Sequence, residues 1–437
     1  MTSIVCLHPK YLIPVEPRAT VLSEHALVMQ GEKILDILSS QQAQQRYPAV
    51  QHLQLKEHAL LPGLVNLHTH AAMSLLRGLA DDLALMDWLN QHIWPAENQH
   101  VSDEFVFDGS VLAMAEMLRG GTTTINDMYF HHEAVARAGL HSGMRTVVGC
   151  SVLEFPTAYA KNADDYLAKA MAAQAAFTGQ AGVAFRLAPH APYTVSDDTF
   201  RKIIALAERH QLGIHCHIHE TRDEIDGSLS QYGVRPLQRL HDLGLLSARL
   251  IAAHVVHADD SEIALLARQG VHVAHNPASN LKLASGLARV HAMQGAGVNV
   301  GIGTDGAASN NKLDLLGDLR LAALLAKAES ANPTALNAAA ALEMATLSGA
   351  KALGLDEQIG SLLPGKQADL IAIDLSAIET QPVFDPISHI VYAAGREQVS
   401  HVWVRGKCLM QERQLTTMQL GLLQEKARWW QRRIAAA

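Results

Sequence analysis

Cysteine is scarce in this chain of 437 residues. Its four cysteines, Cys6, Cys150, Cys216 and Cys408, lie far apart in the sequence, and no two of them form a CxxC pair. This pattern argues against a disulfide framework and against a zinc site built from cysteine. Unpaired thiols are typical of a reducing compartment, so we expect a cytoplasmic protein.

Long hydrophobic runs and clusters of basic residues are also missing. No apolar stretch reaches the ~18 residues of a membrane span, and the first residues lack the charged and apolar segments of a secretory signal. The formal net charge is −8 without a basic block, whereas a nucleic-acid partner needs a basic stripe. We therefore expect a small-molecule substrate, no nucleic acid and no membrane. The sequence leaves formation of a homo-oligomer open.

The two ends of the chain differ in pattern from its middle. Residues 1–57 and 361–415 show apolar side chains at every second position, which is typical of half-buried strands. We predict that these two segments form one small β-sandwich domain, and that residues 416–437 form a C-terminal helix. Residues 58–360 alternate amphipathic helices with short apolar strands, at Leu60–Leu67, Thr122–Asp127, Thr146–Val152, Ala184–Ala188, Gly213–His217, Arg249–Ala253, His272–Ala274 and Asn299–Gly303.

This alternation predicts an α/β protein whose catalytic domain is a (β/α)₈ barrel. An open doubly wound sheet is the alternative, and the lack of an early glycine-rich phosphate loop disfavours it. Active sites of such barrels lie at the carboxyl ends of the strands. Polar residues at predicted strand ends are therefore the first candidates for chemistry.

Two of these strand ends carry alternating histidines. His68 and His70 close the segment PGLVNLHTH, and residues two apart in a strand point to the same side. The segment IHCHIHE carries three more histidines, and spacing alone leaves each of them open as a metal ligand: His215, His217 and His219.

Two further strands end in Asp305 and His254. Taken singly, each group also has a simple structural interpretation, such as a helix cap for the aspartate. Four strand ends with metal-compatible side chains around one barrel mouth nevertheless predict a metal site.

In these segments the chain resembles the 5-methylthioadenosine/S-adenosylhomocysteine deaminases of the amidohydrolase superfamily. The resemblance covers nearly the whole chain and includes PGLVNLHTH, AAHVVH at 252–257, HNPASNLKL at 275–283 and GTDGAASNN at 303–311. The HxH pair and the TDG triplet are shared across the superfamily. The segments at 275–283 and 303–311 are typical of fewer families within the superfamily, although guanine deaminases and triazine hydrolases carry versions of them.

The resemblance implies one divalent metal ion held by His68, His70, His217 and Asp305. It selects His217 because the family places its metal histidine three residues before the catalytic glutamate, here Glu220. Nitrogen and carboxylate ligands suit catalytic zinc, and iron or another first-row metal also fits them. The strand at 146–152 ends without a lysine that could bridge a second metal.

The implied activity is hydrolytic deamination of adenine nucleosides by metal-activated water, with release of ammonia. The implied substrate is 5′-methylthioadenosine, converted to 5′-methylthioinosine, with S-adenosylhomocysteine and adenosine as further candidates. Asp305 would accept a proton from the water, and Glu220 would relay it to a ring nitrogen. His254 would hydrogen-bond the attacking oxygen.

The resemblance also implies three side chains that bind substrate together with Glu220 and Asp305. Trp88 would pack in the pocket, Glu97 would bind the ribose hydroxyls and His190 would hydrogen-bond the purine. Their residue types alone predict only a core aromatic, a surface acid and a loop histidine.

One feature departs from some relatives, which carry an arginine just after the segment GMR to hold an amino-acid tail. Here no arginine lies between Arg145 and Arg186. We therefore predict a preference for methylthioadenosine over S-adenosylhomocysteine.

Three alternatives stay open at this point: a guanine deaminase, a triazine-type chlorohydrolase and a metal-binding scaffold without activity. Glu97 argues against the first two, because neither of their substrates has a ribose. The presence of Glu220 and His254 beside a complete ligand set argues against the third.

Overall fold

A computed structural model describes residues 4–436, and its strands form two separate sheets. In chain order the strands are β1 Ile4–Leu12, β2 Leu22–Ser23, β3 His25–Gln30, β4 Lys33–Ser39, β5 Gln51–Pro62, β6 Leu64–Thr69, β7 Thr122–Tyr129, β8 Arg145–Val152, β9 Val183–Pro189, β10 Gly213–Ile218, β11 Leu250–His254, β12 His272–His275, β13 Asn299–Ile302, β14 Leu370–Asp374, β15 Val399–Val404, β16 Lys407–Gln411 and β17 Gln414–Leu415.

Helices follow most of the strands. They are α1 Ser40–Arg46, α2 Leu85–Trp88, α3 Trp94–His100, α4 Asp103–Arg119, α5 His132–Ser142, α6 Ala163–Ala176, α7 Asp197–His210, α8 Arg222–Tyr232, α9 Pro236–Asp242, α10 Asp260–Gln269, α11 Pro277–Lys282, α12 Val290–Gly295, α13 Leu315–Ser330, α14 Ala338–Met344, α15 Leu347–Leu353, α16 Pro386–Tyr392 and α17 Leu420–Ala435. A turn of π-helix joins α2 to α3, and short 3₁₀ turns lie at Ala71–Leu76, Ile378–Thr380 and Arg396–Gln398.

The strands β6 to β13 form one sheet in sequence order, and every neighbouring pair is parallel. The first and last strands approach each other at the carboxyl rim, where the Asp305 N–H donates to the His68 carbonyl at 2.9 Å. Gly303 permits this approach, because a Cβ there would lie 2.3 Å from Asn276 Oδ1 and 2.9 Å from the His68 Cβ. The predicted (β/α)₈ barrel is confirmed.

One predicted strand is wrong in its bounds. The apolar run Leu60–Leu67 is divided at Gly63 between the end of β5, which pairs with β14, and β6, which pairs with β7. Gly63 donates to the Asp369 carbonyl, and a Cβ on it would lie 2.2 Å from Thr123 Oγ1. One continuous hydrophobic segment thus contributes a strand to each of two sheets. The alternation of residue types does not show where such a segment changes sheet.

The second sheet combines strands from both ends of the chain, as predicted. Its order is β17-β16-β15-β14-β5-β1-β3-β4, with β2 paired to β1; only β1 and β5 run parallel. It encloses an apolar core of its own, which includes Leu7, Leu27, Leu60, Leu370 and Trp403. Since β5 runs to Pro62, it extends past the predicted boundary at residue 57. The division of the chain at 57, 360 and 415 stays a prediction.

The C-terminal helix α17 packs on α4. The Trp430 side chain is 1% exposed, stacks edge-on against Phe105 and donates its indole N–H to Asp108 Oδ2 at 3.1 Å. Over residues 4–436, no helix combines the length and the apolar composition needed to cross a bilayer.

Candidate metal centre

The four predicted ligands meet on the carboxyl rim of the barrel. His68 lies in β6, His70 follows it directly, His217 lies in β10, and Asp305 comes three residues after β13. Because parallel strands end on the same rim, these distant segments are brought together by the fold itself.

The ligand atoms of this cluster face one another. His70 Nε2 and His217 Nε2 are 3.3 Å apart, and Asp305 Oδ1 lies 3.2 Å from Nε2 of both His68 and His70. Two atoms bound tetrahedrally at ~2.1 Å are separated by about 3.4 Å. His68 Nε2 is buried without a hydrogen-bond partner among residues 4–436. The donor set, its spacing and this unsatisfied nitrogen fit a divalent metal ion.

Two of the histidines are oriented by backbone carbonyls. His70 Nδ1 donates to Met128 O, and His217 Nδ1 donates to His190 O, both at 2.6 Å. With Nδ1 protonated, Nε2 of each ring carries the lone pair that a metal requires.

The other two histidines of the IHCHIHE segment turn away from the cluster. His215 Nε2 lies 2.9 Å from His68 Nδ1, and His215 Nδ1 lies 3.1 Å from Asn126 Nδ2. His215 therefore helps to orient the ring of the predicted ligand His68. His219 Nε2 accepts the Leu237 N–H at 3.2 Å. Of the three histidines, the fold brings only His217 into the ligand cluster.

The two carboxylate oxygens of Asp305 have different neighbours. Oδ1 faces the histidines, while Oδ2 accepts the hydroxyls of Ser279 and Ser309, both at 2.7 Å. Burial opposes ionisation, but the adjacent His68 and His70 side chains hold the pKa of Asp305 well below its usual range. The side chain is therefore a carboxylate, as a metal ligand must be.

Glu220 and His254 stand beside the cluster. Glu220 is buried, burial raises its pKa above the ordinary value, and its Oε2 lies 3.8 Å from His254 Nε2. The Glu224 carboxylate accepts the backbone N–H groups of His219 and Glu220, each at 2.9 Å, and so fixes the turn that carries Glu220. His254 Nδ1 lies 2.8 Å from Asn280 Oδ1, which fixes the plane of its ring.

The backbone is strained where the chain leaves three of these strands. The φ angles are 57° at His219, 74° at His254 and 61° at Asp305, all in the left-handed region that side chains with a Cβ disfavour. A strained backbone conformation persists only where the surrounding contacts hold it in place, and such conformations concentrate at functional sites.

The three predicted substrate-binding residues line the same cavity as the cluster. Glu97, in α3, accepts the Tyr129 hydroxyl at 2.6 Å; burial raises its pKa to about 7, against the opposing effect of that hydrogen bond. Trp88 ends α2 and is buried. His190 follows β9 with Nδ1 3.1 Å from Thr194 Oγ1, and burial lowers its pKa to about 3, so the ring is neutral.

Sequence reasoning missed the residues that hold the active groups. Ser279, Asn280 and Ser309 lie in segments that carried the resemblance, but no role was assigned to them. Glu224 follows Glu220 by four residues, and that spacing was the available signal. Tyr129 carried no signal, because its contact with α3 arises only in three dimensions.

Comparison with known proteins agrees with this geometry. The model of the amidohydrolase family matches residues 59–409. A 5-methylthioadenosine/S-adenosylhomocysteine deaminase of Saccharophagus degradans is 44% identical over 98% of this chain and 96% of that protein.

Solved structures match over almost the entire chain. The crystal structure of an adenosine deaminase from Xanthomonas campestris with bound zinc superposes with a TM-score of 0.96 at 46% identity, over 99% of both chains. An atrazine chlorohydrolase of Arthrobacter aurescens TC1, complexed with zinc, superposes with a TM-score of 0.90 at 23% identity, over 98% of this chain and 99% of that one. The latter match supports the fold alone.

Proposed function

The chain belongs to the amidohydrolase family, within it to the 5-methylthioadenosine/S-adenosylhomocysteine deaminases, and we propose that it deaminates adenine nucleosides by hydrolysis. The observation that carries the proposal is one cavity that joins the ligand cluster, Glu220 and His254 to Glu97. The first three supply hydrolytic chemistry, and the last supplies an acceptor for a ribose diol.

We propose that His68, His70, His217 and Asp305 hold one zinc ion. When bound, such an ion makes water a nucleophile near neutral pH. The orientation of the histidine rings by backbone carbonyls and the ionised state of Asp305 support this assignment.

The reaction replaces the amino group at C6 of adenine by oxygen. A C–O bond forms, the C–N bond breaks, and both protons of water leave the oxygen, one to ring nitrogen N1 and one to the departing ammonia. Asp305 takes a proton from the attacking water and Glu220 delivers one to N1. The raised pKa of Glu220, caused by burial, suits a group that must carry a proton. His254 hydrogen-bonds the incoming oxygen.

Recognition of the nucleoside falls to the other end of the cavity. Glu97 accepts the two ribose hydroxyls, the buried ring of Trp88 packs against the nucleoside, and the neutral ring of His190 hydrogen-bonds the purine. Their common lining of one cavity with the cluster supports these roles.

An ammonia-release assay of the zinc-loaded protein tests the proposal. The substrates are methylthioadenosine, S-adenosylhomocysteine, adenosine, guanine and a chlorotriazine, and the chelated protein is the matched blank. We expect turnover of adenine nucleosides and none of guanine or the chlorotriazine. Turnover of guanine alone, or chloride release without ammonia, would refute it.

We also propose action in the cytoplasm on a small molecule, without nucleic acid or membrane. The net charge of −8 and the four free cysteines support this setting. Self-association is best tested by light scattering, which reports the mass of the particle in solution.

A further inference from the structure

One lysine connects segments from the two ends of the active-site cavity. Lys282, the last residue of α11, donates to Asp81 Oδ1 at 2.6 Å and to the Ala308 carbonyl at 3.1 Å. Its ammonium also donates to Asn311 Oδ1, and Asn311 Nδ2 donates to Asp81 Oδ2 at 3.0 Å. Lys282, Asp81 and Asn311 thus form a closed ring of hydrogen bonds, here called the junction.

On one side the junction is bonded to segments that hold the metal end. The helix α11 also carries Ser279, whose hydroxyl donates to Asp305 Oδ2. Ser309 donates to the same oxygen, and it directly follows Ala308, the backbone acceptor of Lys282. Lys282 therefore binds to both of the segments that fix the second oxygen of a proposed metal ligand.

On the other side the junction holds the segment that leads into the nucleoside-binding helices. Asp81 lies four residues before α2, which a turn of π-helix joins to α3, so that the two helices form one continuous stretch. This stretch carries Trp88 and Glu97. Residues 81–84 are exposed, and the carboxylate of Asp82 forms no hydrogen bond or ion pair within residues 4–436. Asp81 therefore supplies the side-chain hydrogen bonds that attach this leading segment to the barrel.

The charges of the junction make its hydrogen bonds strong and directional. The hydrogen bond from Lys282 lowers the pKa of Asp81 below its ordinary value, so the carboxylate is charged at neutral pH. A lone ion pair on a surface contributes little to stability. Here the ammonium has three acceptors and both carboxylate oxygens are occupied, which fixes the two segments in one relative position. Neither Lys282 nor Asp81 lines the active-site cavity, so neither touches the substrate.

We propose that Lys282 is a positioning residue, which acts through Asp81 to hold the helices that carry Trp88 and Glu97 in register with the metal end of the cavity. The inference rests on the proposed function, because it takes Glu97 as the ribose acceptor and the ligand cluster as the site of hydrolysis. A nucleoside must contact both ends at once, so their relative position affects its binding. Loss of the junction should therefore weaken nucleoside binding and leave the metal end in place.

Amide hydrogen exchange gives the first test, and it needs no catalytic activity. Lys282→Met keeps the length of the side chain and removes its charge and its donors. We expect peptides from residues 85–100 to exchange about threefold faster or more in the zinc-loaded variant, with unchanged exchange in the barrel strands. Lys312→Met is the matched control, because Lys312 is exposed and lies next to Asn311 outside the junction. Wild-type exchange of these peptides in Lys282→Met would overturn the inference.

Steady-state kinetics give the second test. We expect Lys282→Met and Asp81→Asn each to raise KM for methylthioadenosine about three- to tenfold. In both variants kcat should change less than about twofold, and the zinc content should stay at that of the wild type. Asp82→Asn is the matched control for Asp81→Asn and should leave KM unchanged. Loss of zinc, or a fall in kcat at an unchanged KM, would assign Lys282 to the metal end and contradict the inference.

A double-mutant cycle tests whether the lysine acts through the aspartate. If it does, the double variant Asp81→Asn/Lys282→Met should raise KM to within about twofold of the larger single effect. Effects that multiply, to about tenfold or more beyond either single variant, would show that the two side chains act independently and would refute the inference.

These outcomes separate the inference from its premise. A zinc-loaded wild type that is inactive on every adenine nucleoside refutes the proposed function and the positioning role with it, even where exchange shows that the junction holds residues 85–100. A wild type that deaminates adenosine and methylthioadenosine, with Lys282→Met equal to it in exchange and in KM, refutes the positioning role alone.

Discussion

The two ends of the active-site cavity are built on different principles. At the metal end, His68, His217 and His254 belong to barrel strands, and Asp305 follows one closely. At the nucleoside end, Trp88 and Glu97 come from α2 and α3, which lie in the long connection between β6 and β7.

The surroundings differ in the same way. At the metal end, the four ligands and His254 are each held by a further hydrogen bond, as Asp305 is by two serines and His254 by Asn280. The nucleoside end has two such contacts, Tyr129 with Glu97 and Thr194 with His190, among apolar and aromatic walls. The chemistry is thus anchored to the rigid scaffold, whereas recognition rests on a connection that can change without disturbing it.

Removing the metal tests the first half of this comparison and should have the largest effect. We expect chelation to reduce deamination to the uncatalysed rate, and one equivalent of zinc per chain to restore it. His217→Ala should lose both metal and activity, whereas His210→Ala, at an exposed histidine, should keep both. Two tightly bound ions per chain in metal analysis would contradict the four-residue site.

Glu220→Gln should act on the chemical step alone. The amide cannot carry the proton to the ring, so kcat should fall by the ~10²–10⁴ typical of a general acid–base group. Metal content and melting temperature should match those of the wild type and of the exposed control Glu208→Gln. A near-normal kcat would make Glu220 a structural residue.

Glu97→Ala should damage the nucleoside end and spare the metal end. Losing the hydrogen bonds to the ribose should cost about 1.5–3 kcal/mol, or roughly 10- to 150-fold in kcat/KM for nucleosides. Free adenine, to the extent that it is turned over, should be unaffected, and so should nucleosides in the exposed control Glu104→Ala. Equal losses on base and nucleoside would remove Glu97 from the ribose site.

The pH dependence of nucleoside binding should be a smaller effect with a definite sign. Burial raises the pKa of Glu97 to about 7, so the carboxylate form that accepts two hydroxyls dominates only above that pH. KM for nucleosides should therefore rise up to about tenfold as the pH falls from 8 to 6. The variant Glu97→Gln, which does not titrate, should flatten this part of the KM profile; an unchanged slope would assign it to another group.

The two ends also differ in how far the sequence predicts them. Periodicity located seven barrel strands within a few residues. The polar groups at the ends of all eight predicted strands included the whole ligand cluster, because strand ends converge by topology. The family resemblance was needed to choose His217 over His215 and His219. In the fold the three rings differ in their hydrogen-bond partners, and residue spacing does not predict those partners. The assigned roles of all these side chains remain predictions.

The nucleoside end was visible only through the resemblance. Glu97 sits in a short helix whose pattern is that of a surface segment, and its hydrogen-bond partner Tyr129 lies thirty-two positions further along the chain. The division of the strand at Gly63 could not be predicted for the same reason. The residues that Gly63 contacts, Asp369 and Thr123, are remote in sequence. The sequence does not reveal the long-range contacts that bring a residue of a surface-like segment into the cavity.

The sheet change at Gly63 also bears on how the protein is made. A ribosome that has released residues 1–300 has delivered His68, His70 and His217, but neither Asp305 nor β14, the strand that pairs with β5 just before the metal histidines. Local helices and hairpins form early in synthesis, whereas pairing across about 300 residues must wait for the later segment to emerge. The metal centre is therefore completed late, and a chain truncated before residue 370 should emerge with its first barrel strand unanchored on the side of the end sheet.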